Sequence, residues 1–270
     1  MLDVEFAQIS DMGRVRTNNE DSIDCFLPRN EAEVRSHGWL FVLADGVGGQ
    51  QRGEVASRVA VESMVAGFSS APSAEPHTSL LSRLVQSANT DVYETGQSAT
   101  AAPGEPSGKM ATTVVACALR HASAVVAHAG DSRCYLIRQG VASQLTRDHT
   151  LVAEQVRLGV LSKEDAATSL NRHVLTRSLG TNLFVSPDTR LVEIAPADIL
   201  LQCSDGLHGA LSDSEIARIV GSTPNLSEAA SRLVEAANHS DGGDNVALQL
   251  MRVRSVERMG MYRGRPYKLY

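Results

Sequence analysis

The sequence predicts an α+β fold, a layered α-β-β-α sandwich with two central antiparallel sheets and helices on the outside. Three observations predict it. Short apolar runs at 112–119, 123–129 and 133–138 follow one another with only turn-like breaks between them. Connections that short allow antiparallel pairing and exclude a crossover helix. Helical stripes come in pairs between groups of strands, not one after each strand, which separates this chain from an alternating βαβ fold. No fixed-period repeat is present, so a solenoid is excluded. At 270 residues, with 43% hydrophobic and 21% charged residues, one domain with a large core is expected.

Taken in order, residues 4–10 alternate and read as a first strand, 13–21 as a polar connection, and 22–27 as a second strand. A loop with Pro28, Asn30 and Gly38 leads into Trp39-Leu40-Phe41-Val42-Leu43-Ala44-Asp45-Gly46-Val47-Gly48-Gly49. Its unbroken apolar run reads as a buried strand that delivers Asp45 to the edge of the core. After Gly53, the residues Val55, Ala56, Val59, Ala60 and Met64 form a helical stripe that ends near Gly67. A second helix spans about 79–97, with Leu80, Leu81, Leu84, Val85 and Ala88 inward, and 98–108 reads as a flexible loop. The three strands at 112–138 follow. Helical pieces at 150–158 and 162–170, the latter opened by Ser162-x-x-Asp165, form a polar insertion suited to covering a site. Strands at 191–194 and 199–203, helices at 212–220 (capped by Ser212-x-x-Glu215) and 227–239, and a strand at 246–252 complete the fold. The chain therefore divides into a domain at 1–252, with its insertion at about 148–181, and a basic C-terminal tail at 253–270 that reads as a solvated end.

Composition narrows the function. The net charge of −6 argues against nucleic acid as a partner, and 4% aromatic residues leave little surface for base stacking. Cys25, Cys117, Cys134 and Cys203 all lie in apolar runs without a C-x-x-C pair, which reads as buried free thiols in a reducing compartment. Residues 1–5 show neither a basic nor an apolar leader region, and no stretch approaches 18 apolar residues. No signal peptide, no membrane span and a cytoplasmic location are expected. Nothing resembling a heptad is visible, so a monomer is expected.

Four apolar strands carry an aspartate at one end with glycine adjacent: Asp45-Gly46, Gly130-Asp131, Asp205-Gly206 and Gly243-Asp244. One such pair is an ordinary turn; four turns and one shared site are both readings, and the repetition favours the shared site. With Asp21 they make a hard, all-oxygen ligand set suited to Mg²⁺ or Mn²⁺, and no His/Cys cluster at ligand spacing points to zinc. Two cations sharing a carboxylate and a water turn that water into a nucleophile near neutral pH. A phosphate ester is the natural electrophile. Arg16, four residues before Glu20 and five before Asp21, is placed to orient it. No Cys or Ser sits in a nucleophile motif, so water attacks directly.

These residues carry a resemblance. Arg16-x-x-Asn19-Glu20-Asp21, Asp45-Gly46-x-Gly48-Gly49, Ala111-Thr112-Thr113, Gly130-Asp131-Ser132-Arg133, Leu145-Thr146-x-Asp148-His149, Leu175-Thr176-Arg177-Ser178-Leu179-Gly180, Cys203-Ser204-Asp205-Gly206-Leu207 and Gly243-Asp244-Asn245 occur in this order. The chain resembles the metal-dependent protein phosphatases, the type-2C serine/threonine phosphatases, and most closely their bacterial branch. The resemblance implies a Mn²⁺ or Mg²⁺ centre of two core ions and a third, weaker one. Asp45 would bridge the core pair, helped by the Gly46 carbonyl, while Asp205 and Asp244 hold the first ion. Asp21, with Glu20 nearby, would serve the second, and Asp131 the third. Arg16 would bind the substrate phosphate, and the insertion at about 148–181 would be the flap over the site. Phosphorylated proteins, and a serine/threonine kinase whose action the enzyme opposes, are the implied partners.

Two departures carry expectations. Ala111 stands where the family has glycine, which would cost stability at positive φ. Val47 stands where animal members carry a histidine acid; His208 is expected in a surface loop and His149 in a structural role. The alternative to an enzyme is a degenerate, non-catalytic binding module of the same fold, and a third reading keeps the chemistry on a small phosphate ester. The intact aspartate set favours the phosphoprotein phosphatase.

Overall fold

A computed structural model describes residues 1–47, 52–73, 75–98, 110–257, 259–262 and 265–268. Gly48, Gly49 and most of the loop expected at 98–108 lie outside the described residues. The strands are β1 (Asp3–Asp11), β2 (Asp21–Phe26), β3 (Trp39–Asp45), β4 (Val114–Arg120), β5 (Ser123–Ala129), β6 (Arg133–Arg138), β7 (Val141–Gln144), β8 (Asp188–Glu193), β9 (Ile199–Cys203), β10 (Val246–Ser255), β11 (Met259–Tyr262) and β12 (Arg265–Lys268). The helices are α1 (Glu31–Ser36), α2 (Gly53–Ser69), α3 (His77–Ser98), α4 (Leu151–Arg157), α5 (Lys163–Thr168), α6 (Asp205–His208), α7 (Asp213–Ser222) and α8 (Leu226–Ser240).

Two five-stranded sheets, ordered β1-β10-β9-β6-β7 and β2-β3-β4-β5-β8, are antiparallel throughout. Helices α2 and α3 cover one sheet and α7 and α8 the other, which is the expected sandwich. Side chains alternate across a strand, and β3 shows the consequence. Leu40, Val42 and Ala44 pack under the α2–α3 pair, whereas Phe41 and Leu43 face the second sheet beside Cys117, Cys134 and Leu200. Burial on both faces is why β3 reads as an unbroken apolar run. The two outer helices are held closely: a Cβ at Gly67 would lie 2.5 Å from Leu84 Cδ2, so glycine sets the α2–α3 approach.

Helix starts follow their caps. Ser212 and Glu215 form the expected capping box of α7, and the Asn225 side chain accepts from the Glu228 N–H at the start of α8. Helix α1 replaces the loop expected before β3. The Asn30 side chain caps it by accepting from the Glu33 N–H, a signal that one turn of helix with a single buried residue, Val34, left faint. Strand β7 was also missed, because it is a short, half-exposed edge with no apolar run.

The C-terminal boundary moves. Strand β10 continues past 252 to Ser255, with Val253 buried and paired to Val4. Within the segment expected as a tail, Met259–Tyr262 and Arg265–Lys268 pair antiparallel as β11 and β12. Long-range pairing with β1, invisible to local pattern, supplies the difference. Among the described residues no helix is long and apolar enough to cross a membrane. All four cysteines are free thiols, three of them buried.

Candidate active site

Antiparallel order places the strand-end aspartates on one rim. Asp21 opens β2 and Asp45 closes β3, and the two are direct register partners. Strand β9 ends at Cys203, just before Asp205, and its antiparallel partner β10 starts just after Asp244. Asp131 lies in the link from β5 of one sheet to β6 of the other. The rim forms a cleft of about 320 Å³ lined by Arg16, Glu20, Asp45, Gly46, Asp131, Asp205 and Asp244. Seven of the eight sequence-predicted site residues therefore meet at one opening. The eighth, Asp21, lies beneath it against Asp45, and accepts a hydrogen bond of 2.7 Å from Ser204 Oγ.

The backbone around Asp45 is fixed independently of its side chain. Its N–H donates to Thr113 Oγ1 at 3.0 Å, and its carbonyl accepts from Thr112 Oγ1 and the Thr113 N–H, both at 2.8 Å. Asn245 clasps the opposite side. Its Oδ1 accepts from the Glu20 N–H at 2.8 Å, and its Nδ2 donates to the carbonyls of Met12 and Asn18 at 2.9 Å each. Close backbone approach makes Gly206 obligatory, since a Cβ there would lie 2.0 Å from the Asn245 carbonyl oxygen. Gly206→Ala is expected to cost about 3 kcal/mol by overpacking. Urea unfolding checks this beside Gly221→Ala, whose Cβ would meet open space within α7.

The carboxylates crowd one another. Asp45 is within hydrogen-bonding contact of both Asp21 and Asp205, so its carboxyl lies between them. Burial, then the charges of Asp21, Asp205, Asp131 and Asp244, push Asp45 well above the ordinary carboxylate range. Burial and Asp205 push Asp131 up to about 7. Burial also raises Asp21 to about 7, with the Ser204 hydrogen bond opposing. Asp205 goes the other way. Burial raises it, but His173 Nδ1, 3.7 Å from Asp205 Oδ2, together with His208 and Asp45, holds it below its usual value. Crowding that favours protons on Asp21, Asp45 and Asp131 is relieved by divalent cations. The residues thus fit Mn²⁺ or Mg²⁺. Arg16 Nη2 donates to Asp244 Oδ2 at 2.9 Å, which places the guanidinium at the mouth of the cleft.

Structure revises several expectations. Ala111 is absent from the residues at positive φ, so it carries no backbone strain. His208 is not in a surface loop. It sits in α6, its ring Nε2 is 3.0 Å from the Asp131 carbonyl oxygen, and burial draws it down to about 4, which keeps it neutral. His149 is structural as expected: it is fully buried, and its Nδ1 accepts from the Gly130 N–H at 3.2 Å. A histidine cluster does exist, contrary to the sequence reading: ligand atoms of His128, His149 and Asp188 lie within 4.8 Å of one another. Residues this far apart give no spacing signal. Its cation is Arg177, whose Nη1 is 2.7 Å from Asp188 Oδ1 and 3.3 Å from His149 Nε2, so the set does not fit a metal. His173 and Leu175, which reach the cleft from the insertion, were missed because only folding of that segment brings them there.

A carboxylate-lined cleft on the rim of an α-β-β-α sandwich, with an arginine at its mouth, defines a metal-dependent phosphoester hydrolase. Comparison with known proteins agrees. Residues 14–239 match the family described as Protein phosphatase 2C, and the chain belongs to that family. It is 35% identical over 259 residues to a serine/threonine phosphatase (stp) of Listeria innocua, covering 95% of this chain and 96% of that one. It is similar to the crystal structure of the Mycobacterium tuberculosis serine/threonine phosphatase PstP/Ppp at TM-score 0.81 and 30% identity, over 94% of this chain and 100% of that one. The PstP catalytic domain in complex with 2 manganese ions is similar at TM-score 0.79 and 31% identity, over 94% and 100% of the two chains.

Proposed function

We propose that this serine/threonine phosphatase works on phosphorylated proteins through a centre of two core Mn²⁺ or Mg²⁺ ions and a third, weaker one. When bound, these ions supply the Lewis acidity that activates water for attack on phosphorus. Asp45 holds the central position, because it touches carboxyls on both sides. Asp205 and Asp244, with the Gly46 carbonyl, would hold one ion, and Asp21 and Glu20 the other. Asp131 would hold the third beside Asp205. Arg16 leaves Asp244 to take the substrate phosphate through its planar fork. The flap, closed at its base by the Thr150–Leu175 bridge, shapes access from the side of His173. In this reading the chain acts as a cytoplasmic monomer that opposes a serine/threonine kinase, and the name serine/threonine phosphatase of its relatives supports the class of substrate.

One observation carries the reading: the aspartates and Arg16 line a single cleft. Hydrolysis of a phosphothreonine peptide, measured with Mn²⁺, with Mg²⁺ and with chelator, tests it. Turnover is expected with metal, to vanish with chelator, and to fall by at least about 10³-fold in Asp205→Asn. A folded chain without turnover in either metal would overturn it in favour of a binding module.

A further inference from the structure

Beside the catalytic cleft runs a second groove of about 640 Å³, between the flap and the body of the domain. The two share a wall, since Asp131, His173 and Asp205 line both. A chain bound with its phosphorylated residue in the cleft would therefore continue into the groove. Val152 and Val156 of α4 and Ala166 of α5 give the groove an aliphatic side.

Charge distinguishes its two ends. The inner end carries carboxylates: Asp131 and Asp205 of the cleft, and Asp148, which Arg133 neutralises at 2.7 Å. The flap contributes Lys163 at the start of α5 and Arg172 next to His173. Other cations of the groove are occupied: Arg133 by Asp148 and Arg147 by Asp188 at 3.0 Å. Lys163 and Arg172 have no acidic partner among the described residues, in a chain of net charge −6. Two unpaired cations on an aliphatic wall suit an anion carried on an extended peptide.

We infer that the flap groove selects substrates with an anionic side chain, a carboxylate or a second phosphate, flanking the phosphorylated residue, and that Lys163 and Arg172 read it. The inference rests on the phosphatase reading. It makes the flap a reader of sequence context, with the anion drawn to the cations and kept away from the carboxylate end.

The test uses the full chain with Mn²⁺ and phosphothreonine peptides that differ only in their flanks: alanine, glutamate, or a second phosphothreonine, on either side. The anionic peptides are expected to show kcat/KM about tenfold above the alanine peptide, mainly through KM, as two partly exposed ion pairs would supply. Higher salt should shrink the ratio. In the K163A/R172A double variant the ratio is expected to fall below about twofold. Because the ratio is taken within one protein, a general loss of activity cancels. A preference for only one of the two anions supports the inference and identifies the source. Equal kcat/KM for all peptides, or a preference that survives the double substitution, overturns it. Hydrolysis of p-nitrophenyl phosphate reports separately on the phosphatase reading. Should that fail, the relative affinities of the same labelled peptides by fluorescence anisotropy decide the groove, by the same tenfold and twofold criteria.

Discussion

Asp45→Asn is expected to lower kcat on a phosphothreonine peptide by about 10³-fold or more, a barrier increase of about 4 kcal/mol, and at the same time to stabilise the metal-free protein. The two effects share one cause. Asp45 is packed between Asp21 and Asp205, and burial followed by four neighbouring carboxylates opposes its ionisation. Asparagine keeps the shape and removes the charge. Near pH 8 that relief is worth on the order of 1–3 kcal/mol. The backbone clasp from Thr112 and Thr113 does not involve the side chain, so the fold is retained. Urea unfolding in chelator and steady-state kinetics in Mn²⁺ check both halves. A variant that stayed active, or that lost metal-free stability, would show that Asp45 is a fold residue and not the centre of the site.

Metal stabilisation should depend steeply on pH. Asp21 and Asp131 sit at about 7 in the folded chain against the ordinary aspartate value of 3.8. Stability from holding those protons is fully present below about 3.8 and is lost as pH rises through about 7. His77 and His149, both buried, and the half-buried His208, each drawn to about 4 chiefly by desolvation, act oppositely. Their stabilising effect is present above the ordinary value of 6.5 and is lost as pH falls toward about 4. The metal-free curve is therefore blunted, whereas the metal-induced shift isolates the aspartates, because ions compete with protons there and not at the imidazoles. At a concentration 100 times the dissociation constant, an ion adds about 2.7 kcal/mol, or roughly 5–10 °C in a chain of this size. A shift of that order is expected near pH 8 and a much smaller one near pH 5.5, read by thermal melts with and without Mn²⁺. A shift independent of pH would mean that ions bind elsewhere than the crowded carboxylates.

Much of this was legible in the chain because the cause is local. Strand β3 is buried on both faces, so its position is written as an unbroken apolar run. Strands β5, β6 and β9 fall where their apolar runs lie. The cap of α7 is a side-chain bond three residues long, and the end of each core strand must return the chain at a rim, where aspartate and glycine mark it. Edge strands β7 and β8 were faint because exposure removes the apolar signal, and α1 because one turn buries a single residue. His173 of the flap and the Asn245 clasp carry no local signature of what they touch.

By itself, the sequence determined the layered fold, the aspartates, the arginine and the kind of ion they suit, since residue type and short-range pattern encode those directly. Only the tertiary structure decided that Asp45 lies between Asp21 and Asp205, that Arg177 fills the histidine cluster, that His208 is half-buried and neutral, and that the flap sets Lys163 and Arg172, without acidic partners among the described residues, in the groove beside the cleft. Those are products of strand register and of packing between distant segments, and proximity of that kind has no trace in the order of residues along the chain.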